Sequence, residues 1–249
     1  MFEALGDELE KGSEAGKLAA FWWRDDDAQQ PSAQLDRLLE ISARHRAALS
    51  LAVIPDGVQH ALAEAVSGHD QLSILQHGFS HQNYAPSGER KMELGWHRPA
   101  EQILGQITLG LNELQALFSE QLLAVLVPPW NRIDLRLVER LEYAGLCGLS
   151  TLGARQCSHA AKGLQQINVH VDIINWKQGR CFTGEEHCIE QIIAHLSAKR
   201  ENRADPDEPT GIMSHHLVHD AGCWKFLDDL FGFLRNRPDA CVLDARKLF

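Results

Sequence analysis

Ala20-Phe21-Trp22-Trp23-Arg24-Asp25-Asp26-Asp27 passes in one step from four apolar residues to an arginine and three carboxylates. An unbroken apolar run of this length suits a strand buried on both faces, the condition of a strand in a parallel sheet covered by crossover helices. Three adjacent carboxylates at its end repel one another and lose hydration unless a cation or hydrogen-bond donors compensate them. A lone acidic triplet is as readily a solvated turn or a helix N-cap. Directly after Phe21-Trp22-Trp23, where the chain leaves a core, a cation site is the better reading.

The same transition recurs along the chain. Leu72–Leu75 runs into Gln76-His77-Gly78-Phe79-Ser80-His81, Leu122–Val127 into Pro128-Pro129-Trp130-Asn131, Ile167–Val171 into Asp172, and Gly211–Met213 into Ser214-His215-His216. Further strand-length apolar runs lie at Leu49–Ile54, Leu146–Leu149 and Cys241–Leu243. Between most of them sit helix-period stripes: Leu35, Leu38, Leu39; Ile103, Ile107, Leu111, Leu114, Phe118, with Pro99 suited to the first turn; Leu137, Val138, Leu141, stopped near Gly145; Ile189, Ile192, Ile193, Leu196; and Phe226, Leu227, Leu230, Leu234. Strand and helix alternate, which predicts an α/β protein with a parallel sheet, best fitted by a β/α barrel. An open doubly wound sheet has the same alternation, but no GxGxxG or GxxxxGK[ST] segment supplies the phosphate cradle usual in such folds. In a parallel barrel the C-terminal strand ends converge on one face, so one pocket can collect all these polar clusters.

His77 and His81 are spaced i, i+4, which in a first helical turn places both imidazoles on one side. Among 13 histidines such a pair arises by chance; the preceding strand, Gly78 and a carboxylate from another strand end give it weight. Two neutral histidines and Asp27 leave open positions on one divalent metal, as catalytic sites do. Zinc is the expected ion, although other first-row metals accept the same donors.

In this order the segments resemble the motifs of the NodB-homology polysaccharide deacetylases, carbohydrate esterase family four. Asp26-Asp27 resembles the first motif, His77 to His81 the second, Pro128-Pro129-Trp130-Asn131 the third, Asp172 with Trp176 the fourth, and Ile212-Met213-Ser214-His215 the fifth. The likeness runs from about position 20 to 220. Ala28 replaces the usual glycine after the first motif, Val127 stands where the third normally has arginine, and the triple aspartate leaves the register open by one, so Asp25 is the alternative to Asp26. Arg24 is a candidate source of the missing positive charge.

The resemblance implies a distorted β/α barrel of about seven strands in place of the eight of a regular one, formed by a single catalytic domain over residues 1–249. It implies metal-dependent removal of an N-acetyl group from an amino sugar, with Asp27, His77 and His81 as metal ligands. Asp26 would take a proton from water, the metal and a backbone N–H near Trp130 would stabilise the oxyanion, and His215, oriented by Asp172, would protonate the leaving amine. His216 is the alternative acid. Arg24, Tyr84, Trp130, Asn131, Trp176 and His216 are expected to contact substrate, the aromatics as walls for a sugar face. A non-sugar amide substrate and a catalytically silent carbohydrate-binding barrel are the competing readings.

The balance of 24 basic against 34 acidic residues, net −10, disfavours nucleic acid as a partner. Met1 to Ala19 contains no apolar signal region and no run is long enough for a bilayer, so a cytoplasmic protein without membrane insertion is expected, with a soluble or lipid-linked saccharide precursor as the natural substrate. Oligomeric state is not legible. The six cysteines form no CxxC pair; Cys147 and Cys241, in apolar stretches, are expected in the core. Lys199 to Pro209 reads as a solvated loop.

Overall fold

The structure is a computed structural model that describes every residue except Ala15. A first helix, α1 (Phe2–Glu14), precedes β1 (Ala19–Ala28), α2 (Ala33–His45), β2 (Leu49–Val53), α3 (His60–Val66), β3 (Leu72–His77), α4 (Ala100–Phe118), β4 (Leu122–Val127), α5 (Leu135–Val138) and β5 (Gly148–Leu149). There follow β6 (His159–Ala161), β7 (Leu164–Gln166), β8 (Val171–Asp172), β9 (Ile174–Asn175), β10 (Cys181–Phe182), α6 (Glu185–Arg200), β11 (Thr210–Ser214), α7 (Ala221–Arg235) and β12 (Ala240–Val242).

The sheet runs β7-β5-β4-β3-β2-β1-β11-β8, parallel throughout, with β6 antiparallel on β7 and β12 parallel on β1. Segment 164–173 joins the two ends of that order. Its first part bonds to the β5 side, Ile167 N–H to Leu149 O and Val169 N–H to Thr151 O, and its second part to β11, His170 N–H to Gly211 O and Ile173 N–H to Met213 O. One chain segment thus serves as two short strands, and the barrel is distorted where it crosses.

Side-chain alternation divides β1 between two cores. Phe21 and Trp23 face outward into the layer beneath α1, α2, α6 and α7, whereas Trp22 faces inward with Ala52, Leu75, Val125, Val127, Val169 and Met213. The inner cluster is capped by Leu248 and Phe249 near the start of the strands. Gly211 allows this packing, because a Cβ there would stand 2.4 Å from the Trp22 indole nitrogen and 2.6 Å from the Val169 backbone. The large residues that fill the barrel leave only its opposite, C-terminal end for a cleft.

Several expectations need correction. Cys147 is exposed and Cys241 half-buried; the buried thiols are Cys188 on α6 and Cys223 on α7. The stretch from Lys199 is solvated only in part, since α6 extends to Arg200 and Glu208 is fully buried. Pro99 is the cap of α4 and lies outside its first turn. Among the described residues no helix is long and apolar enough to cross a membrane.

Candidate active site

A cleft of about 710 Å³ opens at the C-terminal strand ends and is lined by Asp26, Asp27, His77, His81, Trp130, Asn131, Asp172, Trp176 and His215 together with several cations. In a regular strand Asp26 and Asp27 would point to opposite faces. They do not, because Asp27 has φ +74° and the register with β2 shifts between Asp25 and Ala28, a bulge that turns both carboxylates into the cleft. His81, Trp130, Asn131 and Arg180, also on the cleft, share this left-handed backbone. Such residues each cost about 1–3 kcal/mol and persist where the surroundings over-determine them.

His77 Nδ1 lies 3.0 Å from the Val127 carbonyl, so that nitrogen is the donor and Nε2 faces Asp27 Oδ1 at 3.0 Å. His81 Nε2 is 3.3 Å from the same oxygen. No helical turn brings the two histidines together: residues 78–81 are irregular, turned by Gly78 at φ +57°. A Cβ on Gly78 would collide with the Glu93 carboxylate and stand 2.6 Å from Pro129. Glu93, wholly buried, accepts from the N–H of Ser80 at 2.7 Å and from its hydroxyl at 3.1 Å, which fixes the turn that presents His81.

The three ligand atoms lie within 4.8 Å of one another. Asp27 Oδ1 is buried without a hydrogen-bond partner, and the lone pairs of two neutral imidazoles converge on it. That is an unfavourable arrangement unless a proton or a cation stands between them. Without a cation, burial would disfavour the imidazolium of His77, but the Asp27 contact outweighs this and raises its pKa, while burial and then His77 depress that of His81. Burial opposes ionisation of Asp27, yet the histidines hold its carboxyl well below the usual range. This donor set fits one divalent metal.

Asp26 is held from below. Arg24, two residues back on the same strand face, donates from Nε to Oδ1 at 2.8 Å and from Nη2 to Oδ2 at 2.9 Å, a planar fork. The guanidinium also bonds Ser150 Oγ at 2.6 Å and Asn131 Oδ1 at 2.8 Å. Arg24 is fully buried and absent from the cleft wall, so it supports Asp26 and does not meet substrate.

His215 Nε2 is 4.0 Å from Asp26 Oδ2, and its Nδ1 is buried without a partner. Asp172 accepts from Ile174 N–H at 3.0 Å and from Trp176 Nε1 at 2.8 Å, and Trp176 packs edge-on against His215 with ring centres 4.6 Å apart. Asp172 thus reaches His215 only through the indole. Burial raises the Asp172 pKa despite the attraction of His215.

Three expected site residues stand elsewhere than anticipated. His216 points to the opposite face of β11 from His215, is fully buried, and binds Asp25 through Nδ1 at 2.5 Å, with Ser214 Oγ on the other Asp25 oxygen at 2.6 Å. Burial works against both charges, but their mutual attraction lowers the Asp25 pKa and raises that of His216. Asp25 thus belongs to the outer layer and Asp26 to the cleft. Tyr84 lies off the cleft under the Arg98 guanidinium, 3.6 Å from its ring centre. Arg24 is the third, as described. Ser150, Glu93, Asn83, Lys91, Arg132 and Arg180 were not anticipated; none carries a periodicity or motif that marks it.

A second cluster, His170, His195 and Glu208, lies near Thr210 at the start of β11. Gly211 N–H donates to His170 Nδ1 at 2.9 Å, so the proton of that neutral ring is on Nε2, which faces Glu208 at 3.2 Å. The two rings stack at 3.5 Å and 21°, and one ligand atom from each of the three residues lies within 4.8 Å of the others. His195 Nδ1 meets Thr210 Oγ1 at 2.9 Å, while His170 Nε2 and His195 Nε2 are buried without a hydrogen-bond partner.

No protein-family model matches the chain, and no curated protein sequence matches it significantly. Solved structures do. One from Mycobacterium smegmatis described as a polysaccharide deacetylase superposes with a TM-score of 0.69 at 16% identity, over 94% of this chain and 89% of that one. The peptidoglycan deacetylase PdaC from Bacillus subtilis gives 0.58 at 12%, over 93% and 90%. A family 4 acetyl xylan esterase from Clostridium thermocellum, in complex with a cobalt ion, gives 0.55 at 14%, over 92% and 90%. By these likenesses, across nearly its whole length, the chain has the fold of the polysaccharide deacetylases of carbohydrate esterase family four.

Proposed function

We propose that this protein is a metal-dependent deacetylase that hydrolyses an N-acetyl group on an amino-sugar-containing saccharide. One observation carries the reading: a carboxylate clamped by arginine, a three-donor metal site and a histidine 4.0 Å from that carboxylate meet in one open cleft. A divalent cation held by Asp27, His77 and His81, for which zinc is the expected ion, supplies Lewis-acid polarisation of the amide carbonyl.

The remaining work falls to the chain itself. Asp26, kept in place by the Arg24 fork, takes the proton of the attacking water. The turn at Trp130 offers its backbone N–H to the developing oxyanion; its neighbours' N–H groups, of Asn131 and Arg132, are already taken by Pro128 and Pro129 carbonyls at 2.8 and 3.2 Å. His215 delivers a proton to the departing amine. Trp130 and Trp176 on the cleft wall, the latter 43% exposed, are placed to pack on a sugar face.

Arg24 bears on the alternative of a silent binding barrel. Val127 occupies the position of the third motif's arginine, and Arg24 brings a guanidinium to Asp26 from β1 instead. A barrel that only bound sugar would gain nothing from a buried fork beneath one carboxylate. The test is acetate release from N-acetylglucosamine oligomers beside simple acylated amines. Asp26→Asn is expected to lose at least about 100-fold in kcat while keeping its metal content, the range of general-base catalysis. Undiminished turnover would remove Asp26 from the mechanism, and acetate from the simple amines alone would remove the sugar.

A further inference from the structure

Although the chain carries a net charge of −10, four cations gather at the cleft mouth. Lys91, Arg132 and Arg180 line the same cleft as the metal ligands. Arg90 lines an adjoining depression of about 450 Å³ that shares Asn131 and Arg132 with the cleft. Nine of the other arginines, Arg24, Arg44, Arg136, Arg140, Arg155, Arg200, Arg203, Arg237 and Arg246, have a carboxylate partner within 4.0 Å; Arg37, Arg46, Arg98 and Arg235 lack one but do not line the cleft. Among the described residues Arg90, Lys91, Arg132 and Arg180 have none.

Arg90, Lys91 and Arg132 are also set close to one another, and Arg180 lines the same cleft. Arg132 Nη1 donates to the Lys91 carbonyl at 2.9 Å, which ties the loop after β3 to the turn after β4. Burial, and then the like charge of Arg90, make the Arg132 cation less favourable. Lys91 Nζ stands 5.7 Å from the centre of the Trp130 ring, whose own centre is 4.5 Å from that of His81. Arg180 comes from a different part of the strand order, the turn between β9 and β10 that also carries Trp176. The cleft's carboxylates do not offset them. Asp26 is neutralised by Arg24, Asp27 faces the histidines, and the oxygens of Asp172 accept from Ile174 N–H and Trp176 Nε1. Like charges set beside a cleft with no counter-charge are stabilised by an anion that enters it.

We propose that the substrate carries an oxyanion, a phosphate or a carboxylate, near its acylated amine, received chiefly by Arg132 and Arg90 with Lys91 and Arg180 drawing it into the cleft. The inference rests on the deacetylase reading and narrows it to an anionic amino sugar. Guanidinium groups match both oxyanions in planar geometry, and a charged hydrogen bond of this kind is worth enough for about a tenfold preference or more.

The experiment compares the zinc-loaded enzyme on N-acetylglucosamine, N-acetylglucosamine 1-phosphate and N-acetylmuramic acid, with acetate release giving kcat/KM. At least one anionic sugar is expected to exceed the neutral one by about tenfold, with the ratio falling toward one in Arg90→Gln/Arg132→Gln and on raising the salt. Whichever anionic sugar is preferred identifies the oxyanion. Calorimetry of N-acetylglucosamine 1-phosphate and N-acetylmuramic acid with zinc-loaded Asp26→Asn, with and without the two arginines, reads the anion site apart from turnover. Acetate from all three sugars at equal kcat/KM would overturn the anionic substrate and leave the deacetylase. No acetate from any sugar, with anion binding that weakens at least tenfold in the double variant, would uphold the anion site and overturn the deacetylase. Binding indifferent to the arginines, whatever the turnover, would overturn the anion site.

Discussion

Arg24 shows at the scale of one residue how the chain solves a local problem. On the proposed mechanism Asp26 is a base that must be held without losing its lone pairs to mobile donors, and the residue two positions back on the same strand face holds it with no intervening loop. The pair is buried at 0% and 2% side-chain exposure, so deleting the cation leaves an uncompensated charge. Arg24→Met is therefore expected to lose about 3–5 kcal/mol of stability in urea titration; a loss below about 1 kcal/mol would mean that water replaces the guanidinium. Residue types were legible in the sequence and their directions were not. Asp25 against Asp26, and His215 against His216, are questions of strand parity, which the structure answers by placing Trp22, Arg24 and Asp26 on one face of β1 and Met213 and His215 on the matching face of β11. Parity needs a registered neighbour, here Asp25 opposite Ser214, and no local pattern supplies one.

Elements were legible where periodicity was long. The apolar runs fall on the strands of the barrel, and the stripes through Leu35, Ile103, Ile189 and Phe226 fall on α2, α4, α6 and α7. What escaped was short or polar: α1, α3 and the hairpins β6-β7 and β9-β10, each too brief or too hydrophilic to mark itself. The spacing of His77 and His81 suggested a helical turn, whereas a glycine turn braced by Glu93 brings them together. That difference is testable in the element itself. Gly78→Ala should displace the turn, because its Cβ would meet both Glu93 and Pro129 at a backbone angle that alanine resists. The expected result is zinc affinity weakened at least about tenfold, as for loss of supporting groups around a metal; an unchanged affinity would show that His81 is positioned by something other than this turn.

For the molecule as a whole, the barrel separates a packed floor from an open mouth that holds the candidate site, and acid acts on both. In the floor, burial first and then His170 push the His195 pKa down to about 2, and beside the mouth, next to His215, burial pushes His219 down to about 4. Between those values and the ordinary 6.5 the unfolded chain binds protons that the folded one refuses, so stability is fully present above about pH 6.5 and falls as the pH drops. Relative to His195→Gln, the wild type should lose about 1.4 kcal/mol per pH unit below 6.5, read as the divergence of their denaturation midpoints between pH 7 and pH 5; parallel curves would contradict it. At the mouth, protons and metal compete for the same histidines, so cation affinity should weaken over the same acid range.

The central claim is that Asp27, His77 and His81 grip one divalent cation between strand ends, and the most direct measurement is the metal content of the purified protein after equilibrium dialysis against zinc. The account predicts one ion per chain, with affinity reduced at least about tenfold in each of Asp27→Ala, His77→Ala and His81→Ala. A wild-type protein that retains no ion, or an Asp27→Ala variant that retains it undiminished, would contradict it.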